Sequence, residues 1–339
     1  MDKRKVLLIG GTGTISSSIM RNLAADEQTE LYVLNRGHKT LPEGVIQLTA
    51  DIGDEQKVRE VTNDLSFDVI ADFIIFTKEA AEQRIRLFRG KTKQYIFIST
   101  VVTFRHEDTV YLDEESAQDN IYSDYGRSKT ACEQVFKDAY DEGFPVTIVR
   151  PSQTYGYDRF PLSVKGRSCW SVVSRILRDK PVIVHGDGKS VWHMMHTYDF
   201  ADNFVQLLGR EEAVGCSVNL VNPDSVTWDM IYHEIGRQLN KEVKIVHIAS
   251  DTLALSRRYD NASAILGDKQ YSNIYSTENL KKLMPHFSCR YTLEKGTELF
   301  LEYMNDHEEL KKEDPEFDQW CDEVIADYET FMADFRKKH

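Results

Sequence analysis

Short apolar runs alternate with helical stretches through the first half of this 339-residue chain. Parallel strands that are covered by helices on both faces have this continuous apolar character. The alternation therefore predicts an α/β fold built on a Rossmann-type, doubly wound parallel sheet. We expect its strands at residues 6–9, 31–34, 45–48, 68–76, 95–99 and 146–149.

The pattern loosens after Pro151, where a smaller, mixed α/β C-terminal substrate domain is expected. We expect residues 1–160 to form the NAD(P)-binding domain, with 190–222 returning to it, and residues 161–189 and 223–339 to form the smaller domain. From about residue 293 the sequence is acidic and helical in spacing. Earlier helices are expected at 171–178, 200–208 and 228–239, and short strands at 182–184, 218–221 and 243–248.

Composition argues against several classes of function. The formal net charge is −13, whereas nucleic-acid binding needs clustered Lys and Arg, so nucleic acid is an unlikely partner. No apolar run reaches the roughly 20 residues that span a bilayer. The five cysteines are scattered and form no Cys-x-x-Cys pair, and the segment MDKRK leaves no room for a signal peptide before the first expected strand. Both observations favour a cytoplasmic protein with reduced thiols. His193 and His196 lack a third ligand at suitable spacing, so no metal site is expected.

A glycine-rich turn follows the first expected strand. The segment GGTGTIS places Gly10, Gly13 and Ser16 three residues apart, with serine where a third glycine is usual. Such a turn lets the backbone approach a pyrophosphate, and the following helix contributes free N–H groups and its positive dipole end. We therefore predict dinucleotide binding. The turn residues in contact are expected to be Gly10, Gly11, Thr12, Gly13, Thr14 and Ile15.

The second expected strand ends in LNRG. Asn35 occupies the position where an acidic residue would bind the adenine ribose of NAD, and Arg36 follows it. A guanidinium beside the ribose suits a 2′-phosphate through bidentate bonds, which favours NADP over NAD. The alternative is that Arg36 stacks on the adenine or points to solvent.

The segment SDYGRSKTACE places Tyr125 four residues before Lys129. On a helix these side chains share one face, and an ammonium favours the phenolate form of a neighbouring tyrosine. The pair is weak evidence alone, because a chain of this length can contain it by chance.

Six motifs, in order along the chain, resemble those of one family. GGTGTIS is similar to its Gly-x-x-Gly-x-x-Gly turn, ADIGD to its adenine-contacting segment, and YIFIST to the strand that carries its active-site hydroxyl. YGRSK, VRPSQTYG and HTYDFAD resemble its Tyr-x-x-x-Lys, Arg-Pro-x-x-x-Tyr-Gly and His-x-x-Asp-x-Ala segments. Together they resemble the extended or atypical short-chain dehydrogenase/reductase superfamily, NAD-dependent epimerase/dehydratase family. DFIIF, NRG and HGDG are similar to a branch that includes chloroplast stem-loop-binding proteins.

The resemblance implies roles for particular residues. Tyr125 would exchange a proton with a substrate hydroxyl. Lys129 would hold the nicotinamide ribose, and its charge, with that of an oxidised nicotinamide, would lower the pKa of Tyr125. Thr100 would hydrogen-bond the same substrate oxygen, with Ser99 as the alternative hydroxyl. Further cofactor contacts are implied for Asp51, Ile52, Phe73, Ile74, Ile75 and Pro151, and substrate contacts for Gln153, Trp192 and His196.

The resulting prediction is an NAD(P)-dependent epimerase, dehydratase or oxidoreductase that transfers hydride to or from a sugar or nucleotide-sugar-like substrate. The alternative is a non-catalytic, RNA-binding or partner-binding member of the same fold. Trp192 stands where nucleotide-sugar enzymes of the family commonly carry a diphosphate-binding arginine, which argues against a nucleotide-diphosphate substrate unless Lys189, Arg159 or Arg167 takes that role. A homodimer is a further expectation from the resemblance. A second acid or base could come from Glu107, Asp108, Glu114 or Gln153, which the sequence does not rank.

Overall fold

A computed structural model describes residues 3–107, 109–259 and 261–339 of the chain. The strands are β1 (Arg4–Ile9), β2 (Thr29–Asn35), β3 (Ile46–Thr49), β4 (Phe67–Asp72), β5 (Thr92–Ile98), β6 (Tyr111–Leu112), β7 (Val146–Pro151), β8 (Gln153–Tyr155), β9 (Val182–His185), β10 (Val191–Trp192), β11 (Met194–His196), β12 (Ser217–Leu220), β13 (Val226–Thr227), β14 (Ile245–Ile248) and β15 (Ile274–Tyr275).

The α-helices are α1 (Thr14–Ala24), α2 (Glu55–Val61), α3 (Lys78–Phe88), α4 (Asp124–Asp141), α5 (Trp170–Leu177), α6 (Thr197–Phe204), α7 (Trp228–Leu239), α8 (Ser250–Ala254), α9 (Ala262–Ala264), α10 (Glu278–Leu283), α11 (Leu293–Asp306) and α12 (Pro315–Lys338). Short 3₁₀ turns occupy Val101–Thr103, Val205–Leu207, Glu211–Ala213 and Glu308–Leu310, and a π-helical turn occupies Ile265–Lys269.

Seven parallel strands form the central sheet in the order β12-β7-β5-β4-β1-β2-β3. The chain leaves β1 toward β2 and β3, and later returns to the other side of β1 at β4. This reversal is the topological switch point, where ligands bind beyond the carboxyl ends of the strands in open α/β sheets. The predicted Rossmann-type sheet is confirmed.

Alternate residues of the strands pack in two different cores, one on each face of the sheet. Leu8 of β1 packs in one cluster with residues of α1 and α6, among them Ile19 and Phe200. Its neighbour Leu7 packs in the other cluster with residues of α2, α3 and α4, among them Phe136. Because successive side chains of a strand point to opposite faces, both faces of the sheet are buried.

A third core brings together α5, α7, α11 and α12 with the parallel pair of β9 and β14. Trp228 and Tyr232 of α7 are fully buried within it. Strand β12, which lies within residues 190–222, pairs with β7 in the main sheet. The proposed division of the chain into domains nevertheless stays a prediction.

One predicted strand is too long. Residues 68–76 were expected as a single strand, but β4 ends at Asp72. The Asp72 carboxylate accepts the backbone N–H of Ile74 at 2.9 Å, which turns the chain out of the sheet. It also binds Arg84 and the Tyr95 hydroxyl, each at 2.9 Å. The apolar segment Phe73 to Phe76 is therefore a loop at the switch point.

Candidate active site

The glycine turn between β1 and α1 has little room for side chains. Gly10 has φ +77°, and a Cβ there would lie 2.6 Å from Cγ2 of Ile74. Ser16, in the position of the usual third glycine, closes the turn with its hydroxyl. That Oγ accepts the N–H of Gly13 at 2.9 Å and donates to the carbonyl of Gly10 at 2.7 Å. The N-terminus of α1 is thus left open toward a phosphate-sized ligand.

Two cavities meet at this turn, and both include Gly10, Gly13 and Ile74 in their walls. One has a volume of about 470 Å³ and lies over the ends of β4, β5 and β7. The other, of about 460 Å³, lies over the ends of β2 and β3. Two joined cavities on either side of a phosphate-binding turn fit the two halves of a dinucleotide.

Tyr125 and Lys129 lie on the first turns of α4, where both border the first cavity. The helix begins there because the Ser123 hydroxyl accepts the N–H of Gly126. Thr100 at the end of β5 borders the same cavity, and its side chain lies close enough to the Tyr125 hydroxyl to favour the phenolate. Burial raises the pKa of Tyr125 above its ordinary value, and the Thr100 side chain opposes the rise.

The Lys129 side chain is 2% exposed. Its Nζ donates to the carbonyl oxygens of Ile75 at 2.6 Å and Ile98 at 2.8 Å, and it lies 5.9 Å from the ring centre of Tyr125. Burial lowers the pKa of Lys129 to about 8. An ammonium has three donor hydrogens, so one of them is left for a ligand in the cavity.

The alternative hydroxyl, Ser99, also borders the cavity but donates to Oε1 of Glu133 at 2.5 Å. Glu133 in turn receives two bonds from Arg150, at 2.9 and 2.6 Å, and both side chains are almost fully buried. Ser99 is therefore held in an ionic network beneath the site. Thr100 is the hydroxyl that contacts Tyr125.

The second cavity is lined by the residues expected at the adenosine, Asn35, Arg36, Asp51 and Ile52. The side-chain oxygen of Asn35 is used locally, since it accepts from the N–H of Gly37 and from Gln47. Its amide nitrogen has no hydrogen-bond partner among the described residues. His38 and Lys39 also border this cavity. The short sequence motif gave no indication of these two basic residues.

The predicted cofactor residues are mostly brought together. Gly10, Gly13, Thr14, Ile15, Phe73, Ile74, Lys129 and Pro151 line the first cavity, and Thr12 lines the second. Gly11 lies behind the turn, where a Cβ would be 3.1 Å from Val33. Ile75 is buried and contributes its carbonyl oxygen to Lys129.

Of the three expected substrate residues, the structure brings only Gln153 to the first cavity. Trp192 is buried and packs on Trp228, with ring centres 4.9 Å apart. His196 stacks on Tyr291 at 4.3 Å and caps α6 by accepting the N–H of Tyr198. Both side chains thus pack in the interior, away from that cavity wall.

The structure also sorts the candidates for a second acid or base. Glu114 is buried and accepts the N–H of Asn219 at 2.9 Å, and Glu107 is exposed. Asp108 lies outside the described residues. Two charged residues also border the cavity beside Tyr125. Arg159 is one of the residues expected as a possible diphosphate ligand, whereas the sequence did not single out Asp268.

Within the described ranges, no group of three or more His, Cys, Asp or Glu side chains could hold a metal ion. The helices in those ranges are also not long and apolar enough to cross a membrane.

A Rossmann sheet whose switch point opens into two joined cavities beside a glycine turn is typical of dinucleotide-dependent enzymes. Residues 6–220 match the model of the NAD dependent epimerase/dehydratase family. The chain belongs to this family, and it is an epimerase/dehydratase-like enzyme that uses NAD or NADP. The family predicted from the sequence is confirmed.

Individual relatives carry several names. The chain is 22% identical over 307 residues to 2′-dehydrokanamycin reductase of Streptomyces kanamyceticus, covering 88% of this chain and 84% of that protein. It is 28% identical over 242 residues to chloroplast stem-loop binding protein of 41 kDa b of Arabidopsis thaliana, covering 67% and 61%. The structure of UDP-glucuronic acid 4-epimerase from Bacillus cereus, in complex with UDP-glucuronic acid and NAD, aligns with a TM-score of 0.70 at 16% identity, covering 89% and 99%. This last likeness shows the fold.

Proposed function

We propose that this enzyme interconverts a hydroxyl and a carbonyl group of a sugar-like substrate, with Tyr125, Lys129 and Thr100 as its catalytic residues and NADP as its preferred cofactor. One observation carries the proposal. Tyr125, Lys129 and Thr100 border one cavity that continues to the phosphate-binding turn. A reacting oxygen at that point would lie beside both hydroxyls.

The residues divide the chemistry among them. When bound, the nicotinamide accepts or supplies the hydride. Tyr125 takes the proton of the substrate hydroxyl during oxidation and returns it during reduction. Thr100 both donates and accepts, so it holds the substrate oxygen and Tyr125 in one chain of hydrogen bonds. The Lys129 ammonium, held by two carbonyls, stabilises the phenolate when it forms.

The preference for NADP rests on the charge of the second cavity. Arg36, His38 and Lys39 border it beside Asn35, where a carboxylate would repel a 2′-phosphate. Lys39 is drawn toward the turn, since its Nζ donates to the carbonyl of Thr12 at 2.9 Å. Arg36 remains exposed at the rim, in reach of a phosphate as a bidentate donor.

The first experiment is a fluorescence titration with NADPH and NADH. We expect NADPH to bind at least about tenfold tighter, a difference of about 1.4 kcal/mol. Arg36→Ala should lose most of that preference. Arg336→Ala is the control, because it makes the same charge change at an exposed position of α12, and it should keep the preference. Equal binding of the two nucleotides, unchanged in Arg36→Ala, would contradict the NADP assignment.

The second experiment concerns Tyr125. Sugars and nucleotide sugars, including kanamycin and UDP-glucose, are screened for NADP-linked oxidation, and Tyr125→Phe is then tested on the compounds that react. The variant should lose roughly 10²–10⁴ in turnover, the usual contribution of a positioned acid or base, and keep its NADPH affinity. Undiminished turnover would remove Tyr125 from the mechanism. If neither nucleotide binds, the binding-protein alternative takes precedence. The homodimer stays a prediction.

A further inference from the structure

Asp268 borders the same cavity as Tyr125 and Thr100, and its side chain is 14% exposed. It lies in the π-helical turn Ile265–Lys269, which follows directly on α9. Single π-helical turns are rare and occur frequently at functional sites, because they displace a residue from regular helical register. The mechanism proposed above gives this carboxyl no role.

Hydrogen bonds join the π-helical turn to the residues that follow Thr100. Asn120, which is 2% exposed, donates from Nδ2 to the carbonyl of Gly267 at 2.6 Å and to that of Val102 at 2.8 Å. A Cβ on Gly267 would lie 3.2 Å from the side-chain oxygen of Asn120. One buried amide thus ties the residue before Asp268 to the turn that follows Thr100.

No cationic side chain forms an ion pair with Asp268 in the described part of the chain, apart from the imidazole of His106. His106 Nε2 lies 3.8 Å from Oδ1 of Asp268. Burial lowers the pKa of His106 to about 4, so this ring is neutral near pH 7. Its Nδ1 lies 2.9 Å from the side-chain oxygen of Asn273, and its Nε2 has no hydrogen-bond partner among those residues.

The neighbouring Lys269 points away from the cavity. Its Nζ donates to the carbonyl oxygens of Leu162 and Ser163, each at 2.8 Å. Arg159, which also borders the cavity, forms no ion pair with Asp268 among the described residues. Buried carboxylates are normally paired, because a solitary charge loses its hydration without compensation. Asp268 therefore has no charged counter-ion among the described residues, and its Oδ1 accepts only a long bond of 3.5 Å from Nδ2 of Asn273.

We propose that Asp268 binds a cationic amino group of the substrate, so that the enzyme acts on an amino sugar or a similar aminated polyol. This inference rests on the proposed function, since it assumes that the cavity beside Tyr125 holds the sugar. An ammonium at Asp268 would supply a counter-ion and hold the amine in the cavity that Tyr125 and Thr100 also border. Burial raises the pKa of Asp268 to about 7, and a bound ammonium would shift the carboxyl to its ionised form.

The test compares three probes that share one pyranose ring and differ at one substituent, on the NADPH-loaded protein. Binding of glucosamine, N-acetylglucosamine and glucose is measured by ligand-observed NMR at pH 7. We expect glucosamine to bind at least about tenfold tighter than the two neutral sugars. Asp268→Asn, which keeps the shape and removes the charge, should bring the three affinities to within about twofold. Asp268→Glu, which keeps the charge, should retain part of the preference.

Glu107→Gln is the matched control, because it removes one negative charge from an exposed position. It should leave the preference for glucosamine intact. An equal loss in Glu107→Gln and Asp268→Asn would show a general effect of net charge and overturn the inference. Wild-type protein that binds NADPH but does not prefer glucosamine would overturn it and leave the proposed function standing. Failure to bind NADPH would overturn the proposed function, and this inference with it.

Discussion

The Cα of Gly126 faces the carbonyl oxygen of Val102 so closely that a Cβ would lie 2.5 Å from that oxygen. Gly126 follows Tyr125 on α4, and Val102 lies two residues beyond Thr100. The missing side chain of Gly126 thus lets α4 lie close to the turn after β5, which brings Tyr125 near Thr100. This contact gives Gly126 a structural role within the YGRSK motif.

Gly126→Ala should therefore damage both stability and activity. The added methyl must push α4 away from the turn after β5, and overpacking of this kind costs about 1–3 kcal/mol. Urea unfolding should show that loss, and turnover should fall further than NADPH affinity because Tyr125 moves relative to Thr100. Ser128→Ala, at an exposed position of the same helix, should change stability by less than about 0.5 kcal/mol. An unaltered Gly126→Ala enzyme would refute the contact.

Ser16 replaces the usual third glycine of the turn and should be needed for its shape. Ser16→Ala removes a hydrogen bond from Gly13 and another to Gly10. At about 0.5–1.5 kcal/mol for each bond, we expect a loss of roughly 1–3 kcal/mol in unfolding free energy, together with weaker NADPH binding. The control is Ser17→Ala, since the Ser17 hydroxyl makes only a long 3.4 Å bond to Thr14. Equal effects of the two substitutions would argue against a special role for Ser16.

The parts of the proposed site that the sequence predicts are those that depend on local spacing. The glycine turn, Tyr125 and Lys129, and Thr100 at the end of β5 each lie within one short motif beside a regular element. Asp268 could not be found in this way. It reaches the cavity through the bonds of Asn120 to Gly267, which join segments 147 residues apart.

For Trp192 and His196, the sequence motif does not predict the direction of the side chain. Their motif fixes where they stand along β10 and β11, but the packing of Trp228 and Tyr291 decides which way each ring faces. The length of β4 was missed for a related reason. Phe73 to Phe76 are as apolar as a strand, and only the hydrogen bond between Asp72 and Ile74 shows that the sheet has ended.

Glu133 and Arg150 form a buried pair beneath Ser99, with side-chain exposures of 1% and 0%. Glu133→Gln would leave the Arg150 charge unpaired in the core, so we expect a loss of about 3–5 kcal/mol in unfolding free energy. Burial raises the pKa of Glu133, but the hydrogen bonds and charge of Arg150 lower it by more than burial raises it, so the net shift is downward. The pair's contribution is therefore present above the unfolded pKa of Glu133 and lost as the pH falls through the folded value.

Denaturant unfolding of wild type and Glu133→Gln between pH 3 and pH 7 checks this. The two stabilities should converge as the pH falls. Glu142→Gln, which removes one partner of an exposed pair with Arg89, should change stability by at most about 1 kcal/mol. If the unfolding free energies of wild type and Glu133→Gln fell in parallel with pH, the pair would not be the cause of the loss of stability in acid.

Asp268 should have the opposite pH dependence, because burial raises its pKa from 3.8 to about 7. Between these values the folded protein binds more protons than the unfolded chain, so this carboxyl makes the fold less stable as the pH rises. Asp268→Asn lacks that effect. The unfolding free energy of Asp268→Asn should exceed that of wild type by a small amount near pH 4. This difference should grow until about pH 7, to an upper bound of about 4 kcal/mol for three pKa units.

Denaturant unfolding of Asp268→Asn and wild type between pH 5 and pH 7.5 measures the difference. The titratable groups around Asp268 are His106, Lys269 and Tyr275, and they are common to both proteins. His106, with a pKa of about 4, stays neutral over this range. Lys269, whose pKa burial lowers to about 8, keeps most of its charge. A constant difference between the two curves would mean that Asp268 is already ionised at pH 5, and that a partner in the protein neutralises it.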